Sequence, residues 1–251
     1  MSLADRLSSW LAHQVDTAHA QGLVTGLSGG VDSAVVARLC QLATPAHCLG
    51  VIMPCHSDPR DEDDAQLLAA QFRIPVMRLD LGPPYDELIA RVDTAFTHAP
   101  GLRPHATDDI RARMPLANIK PRLRMTALYA IANRLNYLVA GTGNRSELAI
   151  GYFTKYGDGG VDLLPLGRLV KREVLALARE LEIPQSIVER TPTAGLWLGQ
   201  TDEAEMGFTY DQLESYLAGG SGTVPDDVAR RIGHLVTSSE HKRHLPPLPP
   251  A

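Results

Sequence analysis

Lysine is nearly missing from this chain. Of 24 basic residues only four are lysine, Lys120, Lys155, Lys171 and Lys242, and the other 20 are arginine. A surface solvated by arginine needs no lysine for solubility, so each remaining ammonium invites a specific reason, such as a compact point charge where a planar guanidinium would not serve. Cysteine is scarce too: Cys40, Cys48 and Cys55 are odd in number and form no CxxC, which excludes a disulfide framework and a cysteine zinc site. Cys40 lies in an apolar helical stretch and reads as a core thiol. There is no excess of basic charge. A net charge of −5 argues against a nucleic-acid binder held by bulk electrostatics. No apolar run approaches the roughly 18 residues of a membrane span. Residues 1–22 carry Asp5 and Arg6 and no apolar core, so they do not read as a secretory signal. A reduced, cytoplasmic setting without membrane or nucleic-acid partners is the expectation.

What is present suits an ordinary soluble globule of 251 residues, 44% hydrophobic and 21% charged. An amphipathic helix is expected over 2–20, ended by Gly22. A short strand follows at Leu23–Leu27, then a helix from about Asp32, a strand at Cys48–Met53 and a helix from about Asp61. Another strand is expected at Val76–Leu81 and a helix at 84–97. The stretch 98–120, with Pro100, Pro104 and Pro115, breaks the rhythm and reads as a loop or short helix. Beyond it come a helix at 121–135, a strand at Tyr137–Gly141, a helix from about Asn144, a glycine-dense loop and a helix at 169–181. Residues 191–208 read as a second irregular loop, followed by helices at 209–217 and 225–238. The alternation predicts an α/β fold, a doubly wound parallel sheet with helices on both faces. No repeat or boundary divides the chain, so 1–251 is expected to be one domain, with a loose proline-rich tail at 246–251.

The strongest chemical signal is Gly26-Leu27-Ser28-Gly29-Gly30-Val31-Asp32-Ser33, between a strand and a helix. Small residues let the backbone curl so that several N–H groups converge on an oxyanion, and the helix N-terminus adds positive potential. No Lys-Ser/Thr closes it, so it is not the Walker form, nor is it GxGxxG. The plainer alternative is a glycine-rich turn with Asp32 or Ser33 as N-cap. A carboxylate beside a phosphate cradle makes Asp32 a candidate Mg²⁺ ligand. Asp61-Glu62-Asp63-Asp64 opens a helix, where acids suit the dipole, and reads as structural.

Ser28-Gly29-Gly30-Val31-Asp32-Ser33 resembles the pyrophosphate loop of the N-type ATP pyrophosphatases, which cleave ATP between its α- and β-phosphates to adenylylate an oxygen nucleophile. Further blocks resemble the ammonia-dependent NAD synthetases in order and spacing. These are Asn118–Arg122, Gly141-Thr142-Gly143-Asn144-Arg145-Ser146-Glu147, Gly151–Asp162 with its run YFTKYGDGG, Leu164–Leu166, Lys171, Pro192–Trp197, Gln200–Glu203 and Glu240–Arg243. Together they cover about residues 22–245. The resemblance implies an adenine nucleotide alpha-hydrolase-like fold and amidation of deamido-NAD. It implies ATP contacts from the loop residues 26–33, Thr142, Lys171 and Thr193, Mg²⁺ on Asp32 and Glu147, and dinucleotide contacts from Arg122, Lys155, Asp162, His241 and Lys242. It places Asp158 near the nicotinate end, where it could attract ammonium or accept its proton.

Lys171 carries independent weight. A cation in the first turn of a helix opposes the dipole, so a structural choice there would be Asp or Glu; a lysine reaching phosphates explains the placement. Thr142 could instead cap the next helix, Asp158 could be a turn former, and His241 and Lys242 could be a solvated basic end. The resemblance further implies an acyl-adenylate, release of AMP and pyrophosphate, and a homodimer. The length leaves no room for a fused glutaminase, so free ammonia is the expected donor. Residues 98–120 and 194–207 are candidate lids. Two rivals are a tRNA thiolase, disfavoured by the negative charge and the lack of CxxC, and a non-catalytic nucleotide sensor, disfavoured by intact Asp32, Glu147 and Lys171.

Overall fold

The computed structural model describes residues 1–249 apart from 100, 103–109, 196 and 198. Helix α1 (Leu3–Thr17) leads into strand β1 (Gly22–Leu27), helix α2 (Val31–Ala43), strand β2 (Cys48–Ile52), helix α3 (Pro59–Phe72), strand β3 (Val76–Arg78) and helix α4 (Gly82–Thr97). Helices α5 (Ile110–Ala117) and α6 (Ile119–Leu135) precede strand β4 (Tyr137–Val139) and helix α7 (Arg145–Ile150). Helices α8 (Lys171–Glu180), α9 (Gln185–Val188), α10 (Asp202–Met206), α11 (Tyr210–Gly219) and α12 (Asp226–Ser238) complete the series, with 3₁₀ turns at Ser221–Thr223 and Glu240–Lys242.

The sheet is parallel, in the order β3-β2-β1-β4. Leu23 pairs with Cys48 on one side of β1 and with Leu138 on the other. The chain steps outward from β1 to β2 to β3, then crosses back to place β4 against the free edge of β1. That reversal puts a crevice at the carboxyl ends of β1 and β4, where open α/β sheets bind ligands.

Alternation along the strands feeds two cores. Leu23 and Leu27 of β1 with Cys48 and Ile52 of β2 face α1, α2, α3 and α8. Val24 and Val51 face α6 and the start of α4. A third cluster, from α7, α10, α11 and α12, gathers around Leu213 and Ile232. Cys40 is fully buried in the first core, as expected of a core thiol.

Several boundaries differ from the sequence reading. The first helix stops at Thr17, with His19 in the left-handed region (φ 51°), and Gly22 opens β1 rather than ending α1. The amide of Asn136 donates to the His19 carbonyl at 3.0 Å, a tertiary bond that periodicity cannot reveal. Residues 98–120 contain α5, with Pro115 inside it, and α6 starts at Ile119 rather than 121; Pro100 and Pro104 lie outside the described residues. The segment 191–208 is not wholly irregular, because Thr201 caps the short helix α10. The edge strand β3 is exposed throughout, so the sheet is not covered along its full width.

Leu177, on the α8 stripe with Val174 and Ala178, is 1% exposed. Its replacement by alanine is expected to cost about 2–5 kcal/mol, the range for a large-to-small change in a packed core, read as a lowered urea midpoint.

Candidate active site

The loop after β1 is held by its own serines. The Ser33 hydroxyl accepts from Ser28 N–H at 3.2 Å and donates to the Gly30 carbonyl at 2.8 Å, while the Ser28 hydroxyl lies 3.1 Å from that of Ser33. Gly29 sits at φ +76°, a conformation only glycine adopts without strain. The N-cap of α2 is Gly30, with no side-chain cap, so neither Asp32 nor Ser33 is spent on that duty. Asp32, in the first turn of α2, is left to face β4.

What it meets there is Lys171. The ammonium at the first position of α8 hydrogen-bonds Asp32 Oδ2, with the two side chains 5% and 18% exposed. Asn144, fully buried at the N-cap of α7, donates from Nδ2 to Asp32 Oδ1 at 2.9 Å. The same Asn144 forms a capping box with Glu147: its amide oxygen accepts from Glu147 N–H at 3.1 Å and its N–H donates to Glu147 Oε2 at 3.0 Å. Asn144 therefore orients both candidate metal carboxylates. It stood inside a matched block without an assigned role, and its N-x-x-E spacing was the available signal.

The backbone of Lys171 is as well held as its ammonium. Its N–H donates to Ser146 Oγ at 3.2 Å, and the next N–H, of Arg172, donates to the buried carboxylate of Glu214 from α11 at 3.0 Å. Glu173 closes the helix end by accepting from Val170 N–H. The anions a helix N-terminus favours are thus supplied by Glu214 and Glu173, and Lys171 can be a cation there. A second acid, Asp202 of α10, is 4% exposed and accepts from the Tyr210 hydroxyl at 2.9 Å and the Tyr152 hydroxyl at 3.1 Å. The Tyr210 ring centroid lies 5.4 Å from the Lys171 ammonium.

Charge dominates this cluster. Burial disfavours the Lys171 ammonium, yet Asp32 and then Glu147 hold its pKa above the ordinary lysine value. Burial, followed by the Asp32 charge, pushes Glu147 up to about 8 against the pull of Lys171. Burial also raises Asp202. A carboxyl raised beside the Asp32 charge fits a divalent cation, which would relieve the repulsion between the two. Among the described residues no group of three or more metal-ligating side chains occurs. A Mg²⁺ held by Asp32 and Glu147 would draw its remaining ligands from phosphate oxygens and water, its usual habit.

These residues line a cavity of about 1020 Å³ that takes in residues 26–28 and 30–33, Thr142, Glu147, Lys171 and Thr193, together with Arg122, Lys155, Asp158, His241 and Lys242. Thr142 does not cap α7, a role Asn144 fills. Asp158 accepts from Thr154 N–H at 2.8 Å, so the turn-forming use is realised on the cavity wall itself. His241 and Lys242 are not a loose basic end. Lys242 donates to the carbonyls of Gly151 and Phe153, both at 2.7 Å, and Lys155 donates to the His241 carbonyl at 2.6 Å. Asp162 is set apart: it is exposed, accepts from the Tyr129 hydroxyl and Val139 N–H, each at 2.8 Å, and is not on the cavity wall. Lys120 is 7% exposed, lies 5.7 Å from the Tyr85 ring centroid and is likewise off the wall.

With this geometry in view, a family model described as NAD synthase matches residues 3–246. The chain belongs to the NAD synthase family. It is 49% identical over 245 residues to an NH(3)-dependent NAD(+) synthetase of Carboxydothermus hydrogenoformans, covering 98% of this chain and 96% of that one. Among solved structures it resembles an NMN synthetase from Francisella tularensis, with a TM-score of 0.88, 36% identity and coverage of 98% and 97%. It also resembles an NH3-dependent NAD synthetase from Campylobacter jejuni, with a TM-score of 0.77, 26% identity and coverage of 99% and 97%. The adenine nucleotide alpha-hydrolase-like fold of the family is the one described above. No helix among the described residues is long and apolar enough to cross a membrane.

The Glu147 shift has a consequence for stability. In the ligand-free protein Glu147 holds its proton more tightly than in the unfolded chain, where its pKa is near 4.5, so its contribution to stability falls as pH rises from about 4.5 towards 8. Glu147→Gln keeps the oxygen that accepts from Asn144 and removes that penalty. Its melting temperature without ligand is expected to exceed the parent's at pH 8, with the margin narrowing by pH 5; a margin independent of pH would contradict the linkage.

Proposed function

We propose that this protein converts deamido-NAD to NAD, using ATP to activate the nicotinate carboxylate and ammonia as the nitrogen donor. The observation that carries this reading is a single cavity. It unites a phosphate-type loop and the Asp32–Lys171–Glu147 cluster with a second set of polar groups, Arg122, Lys155, Asp158, His241 and Lys242. In the first step a carboxylate oxygen attacks the α-phosphorus and the bond to the bridging oxygen of the β-phosphate breaks, giving an acyl-adenylate and pyrophosphate. The N–H groups after β1 and the Lys171 ammonium stabilise the charge on the departing pyrophosphate. Asp32 and Glu147 would hold Mg²⁺, which when bound neutralises phosphate charge. In the second step ammonia attacks the carbonyl carbon, AMP leaves, and Asp158, on the wall of the same cavity, accepts the surplus proton. Thr142 and Thr193 position the nucleotide, while Arg122, Lys155, His241 and Lys242 grip the dinucleotide. The chain works as one domain in this reading, in the cytoplasm.

A second substrate is favoured by one observation: the TM-score of 0.88 to the Francisella tularensis NMN synthetase, against 0.77 to the Campylobacter jejuni NAD synthetase. The same chemistry on nicotinate mononucleotide would need only the ribose-phosphate half of the dinucleotide grip. Purified protein with ATP, Mg²⁺ and ammonium is expected to release AMP and form NAD from deamido-NAD, with a kcat/KM at least about tenfold above that for the mononucleotide. The reverse ratio would transfer the assignment to the mononucleotide, and neither amide from a folded, ATP-binding protein would sink both. Lys171→Arg keeps the charge but not its compact shape, and is expected to cut turnover by about 10²-fold.

The reading includes a homodimer, and α4 supports it. Over its 16 residues only Gly82 is buried, and Leu88 and Val92 are 40% and 42% exposed. An amphipathic helix with so little covered is short of a partner, and a second copy supplies one through a self-complementary patch. Val92→Glu is expected to shift the mass in light scattering from two chains to one; an unchanged dimer would remove α4 from the interface.

A further inference from the structure

The acidic run that opens α3 is more than a dipole partner. Arg190 lies two residues past α9 and three before Thr193, and its guanidinium spans two carboxylates one helical turn apart. Nη2 meets Asp61 Oδ1 at 2.5 Å and Nη1 meets Asp64 Oδ2 at 2.9 Å, with all three side chains between 20% and 23% exposed. A planar fork sends two separate N–H donors to acceptors a turn apart, whereas an ammonium donates from a single point. Burial raises the Asp61 pKa even against Arg190, and the net effect on Arg190 is upward because both acids outweigh its own burial.

Asp61 lies between the phosphate loop and the Thr193 segment. On one side its backbone carbonyl lies so close to Gly29 that a Cβ there would come within 2.5 Å, so the phosphate loop rests directly on the α3 backbone. On the other side is Gly195, at φ +62°, whose own Cβ position would be 3.8 Å from Asp61 Oδ2. Gly195 N–H donates to Thr193 Oγ1 at 3.1 Å. Between Arg190 and Thr201 the described residues form no helix or strand, so anchors set where Thr193 sits.

We propose that Arg190 is a positioning residue for the nucleotide. By clamping Asp61 and Asp64 it fixes Thr193 against the phosphate loop and so sets the width of the ATP site. This rests on Thr193 being a nucleotide contact. Binding of a non-cleavable α,β-methylene ATP is the readout, because it does not depend on which acid is amidated. Arg190→Lys is expected to weaken that binding by about tenfold, with deamido-NAD binding within twofold and the melting temperature little changed. Thr193→Ala is expected to weaken it similarly, and Arg190→Lys combined with Thr193→Ala no further than the worse single variant, as befits two residues acting as one unit. Should Arg190→Lys fail to fold, Asp64→Asn loosens one arm of the fork and takes its place in the cycle. Fully additive losses, or unchanged ATP binding in Arg190→Lys beside a weakened Thr193→Ala, would overturn the clamp while leaving Thr193 its role. An unaffected Thr193→Ala would overturn both.

Discussion

The Lys171–Asp32 ion pair is the constraint from which the rest of the site is measured. It crosses the point where the sheet reverses, tying the helix after β1 to the helix that follows the β4 loops. Withdrawing both charges from water is costly, and Coulomb attraction alone seldom compensates. Here Asn144 fills the second oxygen of Asp32, and Glu147 lies close enough to raise the Lys171 pKa. The balance stays uneven: Asp32, Glu147 and Asp202 surround one ammonium. Burial and then the Asp32 charge keep the Glu147 carboxyl protonated to an unusually high pH, and this holds at a stability cost in the free protein.

Local and global preferences conflict at Lys171, and such conflicts mark functional sites. Helix α8 prefers an anion at its start, and it has two. Glu173 comes from its own first turn and Glu214 from α11, more than forty residues later. The third core therefore has a duty beyond stability. By carrying Glu214, Asp202 and Tyr210 to the mouth of α8, it holds a lysine where helix electrostatics alone would reject one.

The sequence made legible whatever is local. The loop after β1 could be read from composition and context, because a tight anion-binding turn demands small residues in a row. Three of the four strands begin where expected and β1 begins one residue earlier, since β-branched and aliphatic runs bounded by turn residues leave few alternatives. Assembly across distance was hidden. Nothing near Asp61 announces Arg190, 129 positions away; nothing near Lys171 announces Glu214; and α10 is too short for periodicity to register. The partners of Asp162 were hidden in the same way, since nothing in the glycine-dense block announces that its carboxylate accepts from the Tyr129 hydroxyl and the β4 backbone.

The scarcity of lysine follows from acceptor geometry. Arg190 bridges carboxylates on successive turns, a task for a fork. Lys242 meets two carbonyls at one point, Lys155 meets one, and Lys171 meets a single carboxylate oxygen in a nearly closed space. Each of these calls for a small charge on a flexible stem, and each of the three lines the cavity. Lys120 is buried just outside it, its ammonium near the Tyr85 ring and its pKa lowered by desolvation. A chain that uses arginine everywhere else keeps three of its four lysines on the wall where the acids and the phosphate loop converge.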